Sequence, residues 1–291
     1  MEQQRGAAVG GAYGVVTCLF FAWGFITSLN DPLVASVKGI FHLTDVEAQL
    51  TAFAFFIAYG VMSFPGAILL ARMKSVSTVL FSLGMMVAGC LVMMVAVDAA
   101  TYPLILVGLF VLASGITILQ VAANPLAAAL GPPERSHFRL TFSQAFNSLG
   151  TFLGPILGAH LFLRGIEVKA GAGVTEGARA TALGGIGHAY LWLAAMLVFI
   201  GLTIFAARRL INRAAPPPPT ESATLGIAAT IREALTSGWA LFGGLAIFLY
   251  VGAEVAIGTQ MALFLNSDLV WGRSDAVFDA PLVTFVVPRM A

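Results

Sequence analysis

The stretch that decides the fold runs from Thr101 to Pro133 and reads TYPLILVGLFVLASGITILQVAANPLAAALGPP. It contains no charged residue and is longer than the ~20 apolar residues that a helix needs to cross a bilayer. A backbone in lipid must satisfy its own hydrogen bonds, so such a run forms a helix. Gln120, Asn124 and Pro125 lie deep inside it, and the proline removes one backbone hydrogen bond beside an amide side chain. The stretch therefore predicts a membrane-spanning helix with a polar break.

This polar break has two explanations. A broken helix with amide side chains near the middle of the membrane is typical of a transporter binding site. Polar side chains in membranes also join neighbouring helices by hydrogen bonds, which explains Gln120 and Asn124 equally well. The stretch by itself leaves both explanations open.

The composition of the whole chain is that of a polytopic membrane protein. Of the 291 residues, 59% are hydrophobic and 10% are charged, and the mean hydropathy is +0.92. The charges lie in short gaps between long apolar runs, unlike those of a soluble protein. The net charge of +1 gives no sign of a nucleic-acid partner. Cys18, Cys90 and the four histidines lack the spacing of a disulfide framework or metal site, and we expect no cofactor.

Seven apolar runs are each long enough to cross a bilayer. We predict a six-span domain at residues 1–207, a cytoplasmic proline-rich linker at 208–236, a seventh helix at 237–265 and an irregular tail at 266–291. The runs cover residues 6–30, 48–71, 75–97, 101–133, 140–163, 187–207 and 237–265.

Basic residues in alternate loops predict the orientation. A cytoplasmic N-terminus places most loop lysines and arginines in the cytoplasm, among them Arg72, Lys74 and Arg139. We therefore expect a multi-pass protein of the cell (inner) membrane. Two short patterns also recur three spans apart, which favours a three-plus-three inverted repeat. Asn30-Asp31-Pro32 corresponds to Asn124-Pro125, and Gly60 with Pro65 corresponds to Gly150 with Pro155.

Four segments carry a family resemblance. They are FFAWGFITSLNDPL (Phe20–Leu33), GITILQVAANPLAAALGP (Gly115–Pro132), FRLTFSQAFNSLGTFLGP (Phe138–Pro155) and YVGAEVAIG (Tyr250–Gly258). Together they resemble the fucose/galactose/glucose permeases of the major facilitator superfamily. The resemblance implies an all-α fold of two six-helix halves, a central hexose site, alternating access and coupling to an ion gradient. This chain would hold the first half and the first helix of the second.

The resemblance also implies roles for individual residues. Asp31 matches the first-helix acid that fucose permeases tie to sugar and proton. Gln120 stands where those permeases carry a glutamate, and this departure resembles the glucose/galactose branch. Glu254 stands where members of that branch carry an acid. Asn124, Gln144 and Asn147 match amides of the fourth and fifth helices.

A hexose site needs groups that both donate and accept hydrogen bonds, and an aromatic face against the sugar ring. Trp23 is either this aromatic platform or an ordinary packing residue. An acid inside a span is costly, so Asp31 and Glu254 are candidates for ion coupling by a proton or a sodium ion. The candidate amides are Asn30, Gln120, Asn124, Gln144 and Asn147.

We thus expect a secondary transporter for a hexose, glucose or galactose before fucose. The apolar run near the C-terminus, residues 281–288, is too short to cross a membrane. A chain truncated at its C-terminus, and inactive as a membrane fragment or assembly partner, is the alternative. An intramembrane enzyme is disfavoured, because no HExxH or GxSxG motif occurs.

Overall fold

The computed structural model describes residues 2–162, 176–215 and 227–265, and these residues form helices joined by short turns. A short 3-10 turn at Pro133–Arg135 joins the fifth and sixth α-helices. The helices are α1 (Glu2–Ser28), α2 (Asn30–Phe41), α3 (Asp45–Arg72), α4 (Ser75–Asp98), α5 (Tyr102–Ala129), α6 (Ser136–Phe162), α7 (Glu176–Ala214), α8 (Ile227–Thr236) and α9 (Gly238–Leu265).

The chain divides into two compact units, of which the first holds α1–α7 and the second holds α8 and α9. Within the described ranges, five helical segments are long and apolar enough to cross a membrane. Helix α6, which has 27 residues, is not among them. The five segments are Val9–Phe41, Val46–Arg72, Ser75–Asp98, Tyr102–Ala129 and Arg179–Ala214.

The apolar runs at residues 48–71, 75–97 and 101–133 correspond to α3, α4 and α5. The first run was predicted to end at Asn30, but after a break at Leu29 the helix resumes as α2 and reaches Phe41. Pro32 explains both the break and the new helix. It has no N–H to donate to the Ser28 carbonyl, so α1 ends there. Proline is nevertheless well tolerated in the first turn of a helix, because the N–H groups of that turn have no partner within the helix.

Helix α7 is much longer than its predicted run, 187–207, at both ends. It begins at Glu176, within the segment rich in glycine and alanine at residues 164–187 that we expected to be a loop between the fifth and sixth apolar runs. Helix α8 lies within the predicted linker, while the four consecutive prolines at 216–219 and the tail at 266–291 lie outside the described residues. The domain boundaries at 207, 236 and 265 stay a prediction.

In the first unit α5 packs along both α3 and α4, α1 packs along α6, and α4 packs along α7. Their apolar side chains form one continuous core, which includes Phe20, Phe55, Met86 and Leu109. Helix α5 is therefore held on two sides, which fixes the positions of its two amides.

Glycines bring α1 and α6 into close contact. Gly150 and Gly154 have the small-xxx-small spacing that lets membrane helices approach closely. A Cβ at Gly150 would lie 2.7 Å from the Phe25 backbone nitrogen, and one at Gly154 would lie 2.8 Å from the Phe25 carbonyl oxygen. Only glycine fits at these two positions without moving the α1 backbone.

We predict that Gly150→Ala lowers the free energy of unfolding by about 1–3 kcal/mol, the cost of overpacking a close contact. Thermal unfolding of detergent-purified protein, followed by size-exclusion chromatography, measures the change. Gly84→Ala is the matched control, because nothing lies within 4 Å of a Cβ there. That change is expected to be neutral or stabilising, since alanine favours a helix by up to about 1 kcal/mol. Equal unfolding temperatures for the two variants would contradict the prediction.

Candidate functional site

Buried polar atoms without partners lie close to the break between α1 and α2. Asn30 is the first residue of α2, its side chain is 3% exposed, and neither its Nδ2 nor its Oδ1 has a hydrogen-bond partner. Three residues earlier, Thr27 Oγ1 is also buried and unpaired. Buried polar groups are normally paired, so atoms of this kind call for an explanation.

The second polar break is in α5. Asn124 comes directly before Pro125, the proline inside this helix. The Oδ1 atom of Asn124 is buried without a hydrogen-bond partner. Gln120 lies four residues before Asn124 and therefore on the same face of the helix. The half-buried side chain of Gln120 donates from Nε2 to Tyr59 Oη on α3 at 3.3 Å.

Tyr59 connects this bond to α1. The Thr27 side chain adjoins the Tyr59 hydroxyl, although Thr27 Oγ1 makes no hydrogen bond of acceptable geometry. The Tyr59 ring lies against Phe55 and Phe56, with centroid distances of 6.1 and 6.2 Å. Thr27, Tyr59 and Gln120 thus form a polar line across α1, α3 and α5.

Three other predicted residues have different surroundings. Asn147 Nδ2 donates to the Phe20 carbonyl on α1 at 3.2 Å, so its amide serves the α1–α6 contact. Trp23 is 5% exposed, and its ring lies 4.2 Å from that of Phe20. This burial favours packing over an open sugar platform. Gln144 is exposed on α6 and makes no hydrogen bond among the described residues.

The two candidate coupling acids are Asp31 and Glu254. Asp31 lies in the first turn of α2, and its side chain lies outside the described part of the structure. Glu254 is exposed on α9, in the second unit. Their proposed roles rest on the sequence.

The structure also reveals a buried arginine that the sequence analysis counted as a loop residue. Arg139 is 7% exposed and donates from Nε to the Ala127 carbonyl at 3.3 Å and from Nη1 to the Pro132 carbonyl at 2.9 Å. Its Nη2 donates to the Ala128 carbonyl. These acceptors lie at or just beyond the C-terminal end of α5. Helix carbonyls lack backbone partners there, and this end carries the negative end of the helix dipole. Arg139 therefore caps α5.

A hydroxyl network continues from Arg139 to α1. Tyr13 Oη donates to the Arg139 carbonyl at 2.7 Å, and Ser143 Oγ donates to Tyr13 Oη at 3.1 Å. A hydrogen bond of 3.3 Å joins Ser143 to Thr17. This end of the first unit is thus tied together across α1, α5 and α6. The lone basic residue inside an otherwise uncharged run, FRLTF, was the sequence signal for this role.

The comparisons with known proteins agree with this helical architecture. A family model described as Major Facilitator Superfamily matches residues 15–288. The chain belongs to the Major Facilitator Superfamily. The predicted fold class, an all-α polytopic membrane protein of that superfamily, is confirmed, and the superfamily is one of transporters.

Named relatives in the superfamily confirm the permease resemblance. The chain is 38% identical to a glucose/galactose transporter of Brucella abortus over 89% of its own length and 60% of the relative's. It is 30% identical to the L-fucose-proton symporter of Escherichia coli over 88% of its length and 60% of the relative's. The chain therefore spans about 60% of the length of these relatives.

A solved superfamily structure resembles the chain in fold. This is the crystal structure of the transporter FucP in the outward conformation, with a TM-score of 0.70 and 25% identity. The alignment covers 87% of this chain and 62% of FucP. The chain thus shares its fold with a superfamily transporter.

We predict that Arg139→Lys lowers the free energy of unfolding by about 1.5–3 kcal/mol, the contribution of a hydrogen bond to a charged group. A single ammonium cannot reproduce the planar arrangement with which the guanidinium meets three carbonyls. Thermal unfolding in detergent measures the loss. The control is Arg135→Lys at an exposed position close by, where we expect no change. An unchanged unfolding temperature for Arg139→Lys would show that the cap is dispensable.

Proposed function

We propose that this chain is a secondary active transporter for a hexose, glucose or galactose before fucose, working by alternating access. The observation that carries the proposal is the set of unpaired polar atoms near the breaks in the helices. Among the described residues, four of the five buried side-chain atoms without partners belong to Thr27, Asn30 and Asn124.

The free-energy cost of these atoms favours a ligand role. Each unpaired buried polar group costs about 1–3 kcal/mol, and a site built to bind hydroxyl groups leaves its own polar groups unpaired until the ligand binds. A primary amide offers both donors and acceptors, and a sugar hydroxyl does the same. Asn30 and Asn124 therefore suit a polyhydroxylated ligand better than an apolar or purely anionic one.

Two lines support a hexose in particular. The relatives in the comparison are named for glucose and galactose or for L-fucose. Gln120 stands where fucose permeases carry an acid, which favours the glucose/galactose branch. Gln120 is an uncharged amide that is hydrogen-bonded to Tyr59, and it lies on the same face of α5 as Asn124. In this proposal Asn30, Gln120 and Asn124 bind the sugar directly.

The remaining predicted residues have less direct roles in this proposal. Gln144 is exposed and available to a ligand, whereas Trp23 packs against Phe20 and Asn147 holds α6 against α1. Ion coupling is assigned to Asp31 and Glu254. A proton is favoured over a sodium ion as the coupled ion, because the Escherichia coli relative is named a proton symporter.

The membrane orientation is part of the same proposal. Arg72, Lys74 and Arg135 are exposed at helix ends, and the positive-inside rule then favours a cytoplasmic N-terminus. We propose the cell (inner) membrane as the location.

We predict that Asn30→Leu abolishes hexose uptake and yet raises the free energy of unfolding by about 1–3 kcal/mol, because it removes unpaired buried groups. Labelled glucose and galactose uptake is measured in a strain that lacks other hexose carriers. The chain is expressed alone and together with the C-terminal part of the Brucella abortus relative that it does not match. Thermal unfolding is measured in parallel.

Asn147→Leu is the matched control, since it makes the same chemical change at a paired amide. It is expected to lower the free energy of unfolding by about 0.5–1.5 kcal/mol, the value of an ordinary hydrogen bond. A stability loss in Asn30→Leu with normal uptake would reassign Asn30 to helix packing. No uptake of either sugar by the unmodified chain in both expression arms would overturn the proposed function.

We also predict that Asp31→Asn abolishes gradient-driven accumulation but retains sugar exchange. The amide keeps its hydrogen-bonding capacity and cannot change charge. Accumulation and counterflow in the same vesicles separate the two activities. Asp98→Asn, an exposed acid at the end of α4, controls for the loss of a carboxylate. Full accumulation by Asp31→Asn would remove Asp31 from the coupling mechanism.

A further inference from the structure

We propose that Tyr59 is a positioning residue that orients the Gln120 amide, so that Gln120 Oε1 is the atom that accepts a hydrogen bond from a sugar hydroxyl. This inference rests on the proposed function. It adds a residue on α3 that the sequence analysis did not select, and it assigns a direction to the contact between Gln120 and the sugar.

The direction follows from the bond that is present. Gln120 Nε2 donates to Tyr59 Oη at 3.3 Å, and Gln120 Oε1 accepts no hydrogen bond among the described residues. Oε1 is also absent from the fully buried unpaired atoms, so it is accessible. A glutamine amide offers a donor at one end and an acceptor at the other. The bond to Tyr59 uses one of the two N–H donors of Nε2 and orients the amide, and Oε1 is the acceptor that remains free for a ligand.

Tyr59 is well placed to hold the amide, because its own position is fixed. Its ring packs against Phe55 and Phe56, and the helix that carries it packs along α5. A glutamine side chain has several rotatable bonds and loses considerable freedom when it is ordered. A rigid partner that is in place before the sugar arrives reduces the entropy cost of binding.

The Tyr59 hydroxyl retains its own proton while it accepts from Gln120. Thr27 adjoins that hydroxyl on α1, and Thr27 Oγ1 is buried without a partner. Asn124 Oδ1, on the same face of α5 as Gln120, is also unpaired. The anchored amide therefore lies in a line of groups that have hydrogen-bonding capacity left, as a sugar-binding surface requires.

A tyrosine that only packs two helices together would contact no candidate sugar-binding side chain. Tyr102 is an example of that role on the same pair of helices, because its hydroxyl on α5 donates to the Glu47 carbonyl on α3 at 2.6 Å. Both tyrosine hydroxyls bridge α3 and α5, but only that of Tyr59 contacts a candidate sugar-binding side chain. Tyr102→Phe is therefore the matched control for Tyr59→Phe.

The test measures KM and maximal rate for galactose and glucose uptake, with the two expression arms described above. Tyr59→Phe is expected to raise KM about three- to tenfold, the effect of a lost neutral hydrogen bond, with the maximal rate little changed. Tyr102→Phe is expected to leave KM unchanged. In a Gln120→Ala background, Tyr59→Phe should raise KM by less than about twofold, because coupled residues are not additive.

The outcomes separate the inference from the proposed function. An unchanged KM in Tyr59→Phe, or an equal rise in the Gln120→Ala background, would overturn the positioning role while uptake by the unmodified chain persists. A lower maximal rate with unchanged KM, shared by Tyr59→Phe and Tyr102→Phe, would assign both tyrosines to packing. No uptake by the unmodified chain would overturn the proposed function itself, and the inference with it.

Discussion

The first unit depends on one constraint. The bilayer core contains no water, so backbone N–H and C=O groups there must form hydrogen bonds within the protein. Each proline within a span breaks this rule once, because it cannot donate to the carbonyl four residues earlier. Pro65, Pro125 and Pro155 lie inside α3, α5 and α6, and Pro32 ends α1. The candidate site amides lie next to two of these four breaks. At those two breaks, unpaired amide atoms lie close to interrupted backbone hydrogen bonds.

The same constraint accounts for Arg139. The end of α5 presents carbonyls that no helical N–H can reach, and a buried guanidinium meets three carbonyls there. An isolated buried charge would be prohibitive, and unpaired helix carbonyls are also costly. Each group removes the other's cost.

The sequence predicted features that depend on neighbours along the chain. Apolar runs of sufficient length predicted α3, α4 and α5, and Asn30 and Asn124 were selected as amides within apolar runs. Features that depend on neighbours in space were missed. Nothing local indicates that the Tyr59 hydroxyl lies beside Gln120, or that Arg139 turns towards the end of α5. The burial of Trp23, whose ring packs against that of Phe20, was likewise not readable from the sequence, which left an aromatic platform and a packing residue both open.

The cap formed by Arg139 has a mechanical consequence. It closes a ring of covalent and hydrogen bonds that runs from Ala127 through Gly131 to Arg139, and Gly131 takes a φ of 128° to complete the turn. The last turn of α5 and the first turns of α6 consequently behave as one rigid corner. A bend of α5 at Pro125, the proline inside this helix, would therefore move the first turns of α6 together with the last turn of α5.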